Sequence, residues 1–413
     1  MIAAHSSIGA NDTNSTIIGS VRATRVRSPE ESRALVPALA HRLPPDVWVW
    51  EYDGPDGWRL SIATHAAPGS AKLSLGGFRI ATEDRAGAPG YDNAREAIDL
   101  AMGMEEKIRW SRLIRCGGPR GMAHLDRLVG GKCVLRPSAG ARVGAPRDAE
   151  LLEWASRMMR AFESESGVHL TTGQDLGHGV MSDGTTQSLA FLHERFHGSV
   201  KADTSKPTAE GNWRLLRGML GGLGVAMPAA RVALVGLGNV GAHLLRRLRD
   251  EGTECIAIEA NAEKRDALTA SGARAWAPDE LPQFLSQPVD AIAVNARGGT
   301  LSLASCERLA ANARLRVVCG CENLAMPDPR GAELLRAAGK LFAPTELGGM
   351  MGYLTAVEEY LCARAGVPFE IGTIFSAAER LEVAGRAAAA RVRAGGYREP
   401  FDAAVKRLAM SEA

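Results

Sequence analysis

The sequence predicts an α/β protein built from two domains. With 413 residues the chain is long enough for two or three domains that each have a sizeable core. From residue 231 onward, short apolar segments alternate with segments of helical periodicity, which predicts βαβ units and a parallel sheet. The strand candidates of this half are residues 231–235, 254–258, 289–294 and 314–319, with a short one near 341–343.

The first half of the chain predicts a second unit of mixed structure. Residues 1–28 are polar and rich in Ser, Thr and Asn, which predicts a flexible tail. Residues 171–179 contain three glycines and predict a loop, and residues 198–208 have the composition of a linker. Extended segments are predicted at residues 46–52, 58–65, 71–79 and 130–135, and helices at 29–39, 93–110, 147–166, 208–221, 353–365 and 375–393.

Composition and charge exclude several classes of partner. The formal net charge is +2, with 46% hydrophobic and 23% charged residues, so no basic patch points to nucleic acid or to a membrane surface. The first residues have neither the charged start nor the apolar core of a signal peptide. Seven cysteines lack metal-ligand spacing, and Cys319 and Cys321 are expected to pack rather than to bind zinc. We therefore expect a reduced, cytoplasmic protein without a metal.

A glycine-rich turn follows the first strand candidate of the second half. Gly236, Gly238 and Gly241 form the pattern G-x-G-x-x-G around Asn239 and Val240, ahead of a helical segment. Such glycines permit a tight turn, let the backbone approach a pyrophosphate and let helix pack on strand, while the helix N-terminus offers N–H groups to phosphates. The turn predicts a Rossmann-type domain that binds NAD. A glycine-rich turn in another kind of α/β protein is the alternative.

A carboxylate at the end of the next strand candidate favours NAD over NADP. Glu259 lies 23 residues after Gly236 (259 − 236) and directly follows residues 254–258. A carboxylate there can accept hydrogen bonds from the adenosine ribose hydroxyls and would repel a 2′-phosphate.

Three polar residues of the first half are candidates for the chemistry. They are Lys107, Lys132 and Asp175. Taken singly, a lysine is usually a solvated surface charge, and an aspartate beside glycines is usually a turn residue. Gly76 and Gly77 likewise suit a strand bend or bulge. However, these residues occur together, in the family order described next and ahead of the glycine-rich turn. Together they are therefore better explained as site residues than as surface or turn residues.

At these positions the sequence resembles the Glu/Leu/Phe/Val amino-acid dehydrogenases and is closer to the leucine and phenylalanine branch. The resemblance covers residues 46–345 and includes the nucleotide motif described above. The matching segments of the first half are His65 ahead of Leu75-Gly76-Gly77-Phe-Arg79, Gly103-Met-Glu-Glu-Lys107, Gly131-Lys132 and Asp175-Leu-Gly177.

The resemblance implies a role for each residue. Lys107, with Gly76 and Gly77 nearby, would hold the substrate α-carboxylate, Lys132 would be the general base, and Asp175 would move protons and keep the lysine poised. Hydride would leave Cα for the nicotinamide, and water activated by neutral lysine would attack the resulting iminium. Burial and a neighbouring cation would lower the lysine pKa enough for this. Asn323 would lie near substrate and nicotinamide, and Asn295 and Ala296 would contact the cofactor.

Several positions depart from the family pattern. Leu75 stands where glutamate-type members have a lysine, which predicts an apolar or aromatic substrate side chain because an apolar wall leaves a carboxylate unpaired. Between Lys107 and Lys132 lie 24 residues, about twice the family spacing, which form either a surface excursion or a lid. His178 replaces a threonine, the family's pair of asparagines is reduced to Asn323, and residues 343–349 differ.

The sequence therefore predicts an NAD-dependent oxidoreductase that deaminates an apolar or aromatic L-amino acid, reversibly, in a homo-oligomer. Residues 29–208 and 346–413 are predicted to form the substrate and oligomerisation domain, and residues 209–345 the NAD-binding domain, with a cleft between them. The alternatives are a reductase of an unusual imine or 2-oxo acid, and an NAD-binding pseudoenzyme that acts as sensor or scaffold.

Overall fold

The computed structural model describes residues 21–36, 46–271 and 274–411. The described strands form two six-stranded sheets. The first sheet contains β1 (Arg25–Arg27), β2 (Trp48–Asp53), β3 (Arg59–Thr64), β4 (Leu73–Ile80), β5 (Leu128–Arg136) and β6 (His169–Gln174). The second contains β7 (Arg231–Val235), β8 (Glu254–Ile258), β9 (Ala275–Trp276), β10 (Ala291–Val294), β11 (Val317–Gly320) and β12 (Leu341–Phe342).

Helices flank both sheets and dominate the C-terminal part. Up to the second sheet they are α1 (Pro29–Leu35), α2 (Glu83–Ala86), α3 (Asn93–Ile114), α4 (Pro119–Ala123), α5 (Asp148–Ser166), α6 (Ser188–Arg195) and α7 (Ser205–Gly222). Then follow α8 (Asn239–Asp250), α9 (Ala262–Ala270), α10 (Leu281–Leu285), α11 (Leu303–Ala311), α12 (Arg330–Ala337), α13 (Thr345–Gly348), α14 (Met350–Arg364), α15 (Ile371–Ala377), α16 (Glu379–Ala394) and α17 (Phe401–Ser411). No helix in these described ranges combines the length and the apolar character needed to cross a bilayer.

The first sheet is mixed and has the order β1-β2-β3-β5-β4-β6. β4 runs parallel to both β5 and β6, while β1, β2, β3 and β5 pair antiparallel in turn. One face packs on α5, where Trp50 meets Phe162 edge to face at 5.0 Å between ring centroids. The other face packs on α3 through Val49, Ile98 and their neighbours. Because both faces are covered, most residues of β2 to β5 are buried rather than alternating.

The second sheet is parallel throughout and has the order β12-β11-β10-β7-β8-β9. The chain order reverses between β7 and β10, so a crevice opens outside the carboxyl ends of these two strands, as in dinucleotide-binding folds. The predicted fold class, an α/β protein with a Rossmann-type sheet beside an N-terminal α/β unit, is confirmed.

The structure differs from the sequence prediction in several places, three of which lie in the first half of the chain. Residues 169–174 form β6, because their backbone pairs with residues 73–78 of β4. This strand overlaps the start of the loop predicted at residues 171–179. Residues 25–27, assigned to the flexible tail, form β1 on the edge of β2, whereas residues 1–20 lie outside the described residues. α7 begins at Ser205, inside the predicted linker. For β1 and β6, pairing with a neighbouring strand outweighs the local sequence signal.

Candidate active site

Lys132 and Asp175 form a buried ion pair between the strands of the first sheet. Lys132 lies on β5, and Asp175 directly follows β6, with β4 between the two strands. Arg79, near the end of β4, donates to the same carboxylate from Nη2 at 3.1 Å and from Nε at 3.3 Å. Arg79 also donates to buried Glu96 at 2.8 Å. The charges of Arg79 and Lys132 are therefore met by two carboxylates inside the protein.

Two glycines of β4 make room for this pair. A Cβ at Gly77 would lie 2.8 Å from Lys132 Nζ and 3.1 Å from Asp175 Cβ. A Cβ at Gly76 would lie 2.0 Å from the carbonyl oxygen of Gly131 on β5. Gly76 is thus required for strand packing, and Gly77 leaves space at the lysine amine. The register between β4 and β5 is the same on both sides of these glycines, so the structure shows no bulge at Gly76 or Gly77.

Lys107 projects from α3 toward the second sheet. Its Nζ donates to Asn323 Oδ1 at 3.0 Å, and this bond joins residues 216 positions apart. Burial lowers the pKa of Lys107, and the charge of Lys132 lowers it further, whereas the carboxylate of Glu346 opposes both effects. Glu346 itself is 6% exposed and stands in the segment that departs from the family pattern.

The environment also lowers the pKa of Lys132. Burial is the largest cause and the charge of Arg79 adds to it, although Asp175 acts in the opposite direction. For Asp175, burial alone would raise the pKa, but Arg79 and Lys132 outweigh burial and hold the pKa well below its usual range. Asp175 is therefore a carboxylate, and Lys132 gives up its proton more easily than a surface lysine does.

A cavity of about 160 Å³ lies between the first sheet and the second. Leu75, Gly76, Gly77, Lys107, Lys132, Asp175 and Asn323 all line it, together with Val240 from the glycine-rich turn. The structure thus brings every catalytic and substrate-binding residue predicted from the sequence to one place. Part of the remaining wall is apolar, with Met104 on α3 and Tyr353, Ala356 and Val357 on α14, and its polar residues include Thr171, Gln174, Thr204 and Thr208.

The glycine-rich turn has the shape needed to hold a pyrophosphate. Gly236 adopts φ +88°, and a Cβ there would lie 2.9 Å from the Asn295 carbonyl oxygen. A Cβ at Gly241 would lie 2.0 Å from the Gly236 carbonyl oxygen, whereas one at Gly238 would project into open space. Asn239 begins α8, with Gly238 as its N-cap, so free N–H groups face that space. These residues fit a dinucleotide phosphate.

Glu259 lies at the end of β8, beside the same turn. Its Oε2 accepts from the backbone N–H of Leu237 at 2.5 Å, and its Oε1 accepts from that of Asn261 at 2.9 Å. Two cations lie nearby, but Lys264 donates to the Leu237 carbonyl oxygen and Arg265 to those of residues 259 and 260. The carboxylate is therefore held in place, and the nearby cations are bonded to the backbone.

Asn295 and Ala296 follow β10 on the opposite side of the crevice. Asn295 Oδ1 accepts from Asn212 Nδ2 at 2.9 Å and from Cys321 Sγ at 3.0 Å. The N–H of Ala296 donates to Glu322 at 3.0 Å. Cys319 is buried in the core as expected, whereas Cys321 lines the cavity. Within the described ranges, no group of three His, Cys, Asp or Glu residues is arranged to hold a metal ion.

The long segment between Lys107 and Lys132 packs behind one wall of the cavity. Its helix α4 lies against α14, and the N–H groups of Arg120 and Gly121 donate to buried Glu358 on α14 at 3.0 and 2.8 Å. None of the described residues that line the cavity comes from residues 108–131. This contact favours neither of the two alternatives, a surface excursion or a lid. It indicates instead that the segment packs against α14 and supports it.

Sequence analysis missed several buried charged residues of this region, among them Arg79 and Glu322. Arg79 was part of a matching segment but received no role, although its place in that segment was a usable signal. Glu322 carried no signal, because a glutamate beside Asn323 is expected at the surface. His178, noted as a departure, lies between the Ser188 hydroxyl at 2.9 Å and the Phe78 carbonyl oxygen at 2.7 Å, next to the site.

Comparison with known proteins gives matches along most of the chain, although no protein-family model matches it. Leucine dehydrogenase of Bacillus subtilis (strain 168) is 24% identical over 318 residues, which are 74% of this chain and 76% of that protein. Leucine dehydrogenase of Thermoactinomyces intermedius is 25% identical over 325 residues, covering 75% of this chain and 76% of the relative.

Solved structures share the fold at lower identity. L-tryptophan dehydrogenase from Nostoc punctiforme superposes with a TM-score of 0.57 at 18% identity, over 88% of this chain and 94% of that one. The hetero-hexameric glutamate dehydrogenase of Thermus thermophilus gives a TM-score of 0.61 at 15% identity, over 94% and 88% of the two chains.

A sheet of the dinucleotide-binding type beside a cleft with two buried lysines fits a pyridine-nucleotide-dependent dehydrogenase, and the similarity to the leucine dehydrogenases supports that class. The chain is similar to the leucine dehydrogenases, at 24 to 25% identity over about three quarters of its length, and it shares the fold of the solved tryptophan and glutamate dehydrogenases.

Proposed function

We propose that the protein catalyses NAD-dependent oxidative deamination of an apolar or aromatic L-amino acid to the 2-oxo acid and ammonia, and the reverse reductive amination. The observation that carries the proposal is the cavity where Lys107, Asn323 and the Lys132–Asp175 pair meet beside the glycine-rich turn. The names of the leucine and tryptophan dehydrogenases support the same reaction class.

The residues divide the work as follows. Lys107, with Gly76 and Gly77, binds the α-carboxylate, and Asn323 orients Lys107 through their hydrogen bond. Lys132 in its neutral form removes a proton from the water that attacks the iminium carbon and returns it to the departing ammonia, while the Asp175 carboxylate stabilises the lysine ammonium formed in between. A bound nicotinamide dinucleotide supplies the hydride acceptor. Leu75, Met104 and Val357 surround an apolar side chain and give no partner to a charged one.

NAD is the form of the cofactor that this site favours. Gly236, Gly238, Asn239, Val240 and Gly241 hold the pyrophosphate in the proposal. Glu259 accepts from the ribose hydroxyls and repels a 2′-phosphate, while Lys264 and Arg265 are already bonded to backbone carbonyls. Asn295 and Ala296 lie on the nicotinamide side. Assembly into a homo-oligomer and a reduced, cytoplasmic location stay predictions.

The test is NADH formation from each of the twenty L-amino acids with NAD at alkaline pH. We expect turnover with a few apolar or aromatic members and a loss of at least about 100-fold in Lys132→Ala, because general-base catalysis contributes on that scale. NADH binding to Lys132→Ala checks its folding, and exposed Lys201→Ala is the matched control.

Two other outcomes distinguish the alternatives. NADH consumption by 2-oxo acids or imines, without deamination of any L-amino acid, would identify a reductase of an unusual substrate. NADH binding without turnover in either direction would identify a pseudoenzyme. Full activity in Lys132→Ala would contradict the proposed mechanism.

A further inference from the structure

Glu322 is a buried carboxylate that the proposed reaction does not use. It follows β11, is 2% exposed, and lies between Cys321 and Asn323, which both line the cavity. Its Oε2 accepts from the Ala296 N–H at 3.0 Å and from the Thr300 hydroxyl at 2.7 Å, and its Oε1 accepts from the Thr300 N–H at 3.0 Å. Burying a carboxylate is costly, and these three donors offset the cost.

The donors to Glu322 all belong to one loop. Residues 295–300 connect β10 toward α11 without regular structure, and Gly298 and Gly299 adopt φ +118° and +78°. Two backbone bonds also fix this loop, from Gly299 N–H to the Leu324 carbonyl oxygen at 2.9 Å and from Leu301 N–H to that of Ala325 at 2.8 Å. The segment after β11 therefore sets the shape of the loop, and Glu322 makes three of the bonds.

The topology places this loop on one side of the dinucleotide crevice. The turn after β7 and the end of β8 carry Gly236 to Gly241 and Glu259, which suit the pyrophosphate and the adenosine. The ends of β10 and β11 lie across the switch point, and Cys321 and Asn323 there reach the cavity that contains Lys107 and Lys132. The nicotinamide must lie on this side to exchange hydride with a substrate in the cavity.

We propose that Glu322 is a positioning residue for the nicotinamide half of the cofactor: its carboxylate holds the loop of residues 295–300 in the shape that receives this half over the substrate cavity. The inference rests on the proposed function. Glu322 acts through Ala296 and Thr300 and does not touch the substrate. Glu322 also precedes Asn323, which accepts the hydrogen bond from Lys107. The segment that holds the loop through Ala296 therefore also carries a residue that orients the substrate-binding lysine.

The test compares the binding of ADP with that of NADH by calorimetry. ADP reports the adenosine side alone, whereas NADH needs both sides. In Glu322→Ala we expect the Kd of NADH to rise at least about 10-fold and that of ADP to stay within about twofold, because only the loop loses its acceptors. Glu322→Gln places an amide donor against N–H and O–H donors, so we expect it not to restore NADH affinity.

Two further variants help to separate the loss of the Glu322 hydrogen bonds from a general loss of folding. Thr300→Val removes the hydroxyl donor and leaves the Thr300 N–H in place, and we expect a smaller rise in the Kd of NADH than in Glu322→Ala. Glu307→Gln, an exposed carboxylate on α11, is the matched control and should bind as the wild type does.

Each contrary result has a separate meaning. Unchanged NADH affinity in Glu322→Ala, Glu322→Gln and Thr300→Val would overturn the inference, and so would an equal loss for ADP and NADH, which is the result of a general structural role. Wild-type protein that binds neither ADP nor NADH would refute the proposed cofactor itself and the inference with it.

Discussion

At the scale of single residues, the protonation of Lys132 depends on three neighbouring influences. Burial and Arg79 lower its pKa, and Asp175 raises it. Arg79 is held in turn by Glu96, whose second oxygen accepts from the Tyr91 hydroxyl at 2.8 Å. The negative charge of Asp175 therefore stabilises the protonated lysine and helps to set the pH at which Lys132 becomes a base.

Replacing Asp175 by Asn keeps the shape of the side chain and removes its negative charge. The pKa of Lys132 then falls further, since Asp175 is the group that raises it. A base with a lower pKa is neutral at lower pH, so the rise of kcat/KM for deamination with pH should shift toward acid. The rate should also fall about 100-fold or more, because the carboxylate that stabilises the Lys132 ammonium during proton transfer is lost.

The measurement is the pH dependence of NADH formation from pH 6 to pH 11. Asp126→Asn, at an exposed position in the segment before β5, should leave the profile where the wild type has it. A profile of Asp175→Asn that stays in place, or shifts toward alkali, would show that Asp175 does not tune Lys132.

A site residue could be predicted from the sequence when a local motif marks it, and could not be predicted when only tertiary contacts do. Lys107, Lys132 and Asp175 stand in short segments whose order along the chain identifies them, and the structure brings them to one cavity. The buried network around them was not predictable in this way. Arg79 meets carboxylates 17 and 96 positions away, and Glu322 meets donors 22 and 26 positions away. An isolated Arg or Glu is expected at the surface.

At the scale of secondary-structure elements, long periodic segments were predicted well and short ones were not. Helices α3 and α5 and strands β7 and β8 lie close to their predicted bounds. β9, of two residues, and β1, of three, are too short to carry a periodic signal. β6 was missed because its glycine suggested a loop, although pairing with β4 supplies its hydrogen bonds.

Helix α4 lies in the long segment between Lys107 and Lys132 that departs from the family spacing. It packs against α14 through hydrogen bonds to Glu358. This carboxylate is 3% exposed and accepts from two N–H groups at the start of α4. In Glu358→Ala both donors lose their acceptor inside the protein, so we expect the free energy of unfolding to fall by about 1–3 kcal/mol. Urea denaturation followed by circular dichroism measures this change.

Exposed Glu263→Ala on α9 provides the comparison and should unfold at the wild-type urea concentration. If Glu358→Ala also unfolds there, the contact between α4 and α14 contributes nothing, and the long segment is a surface excursion.

At the scale of the whole molecule, the two sheets share a hydrophobic core. One cluster of buried side chains includes Leu73 and Met104 from the first unit, Val232 and Leu234 from β7, and Val405 from α17. Helices α7, α14 and α16 contribute to it from between the sheets. A large apolar interface makes independent unfolding of the two units unfavourable, because either unit alone would expose its share of the core.

The seven cysteines provide a test of this cooperativity. All are free thiols: Cys116 and Cys133 lie in the first unit, Cys362 lies on α14, and Cys255, Cys306, Cys319 and Cys321 lie in the second unit. Six are buried, and burial raises the pKa even of partly buried Cys321 to about 12. In native protein at pH 8, a disulfide reagent that reacts with free thiols should therefore modify fewer than about one cysteine per chain within minutes.

Across a guanidinium titration, all seven thiols should become reactive in one transition that coincides with the loss of circular dichroism. Cys321→Ser removes the one thiol that is not fully buried and should abolish any reaction that remains under native conditions. Early exposure of Cys133 ahead of Cys255 and Cys319 would show that the first sheet unfolds on its own. The shared core would then hold the second sheet and the C-terminal helices together without the first, and the site would lose its shape before the dinucleotide fold does.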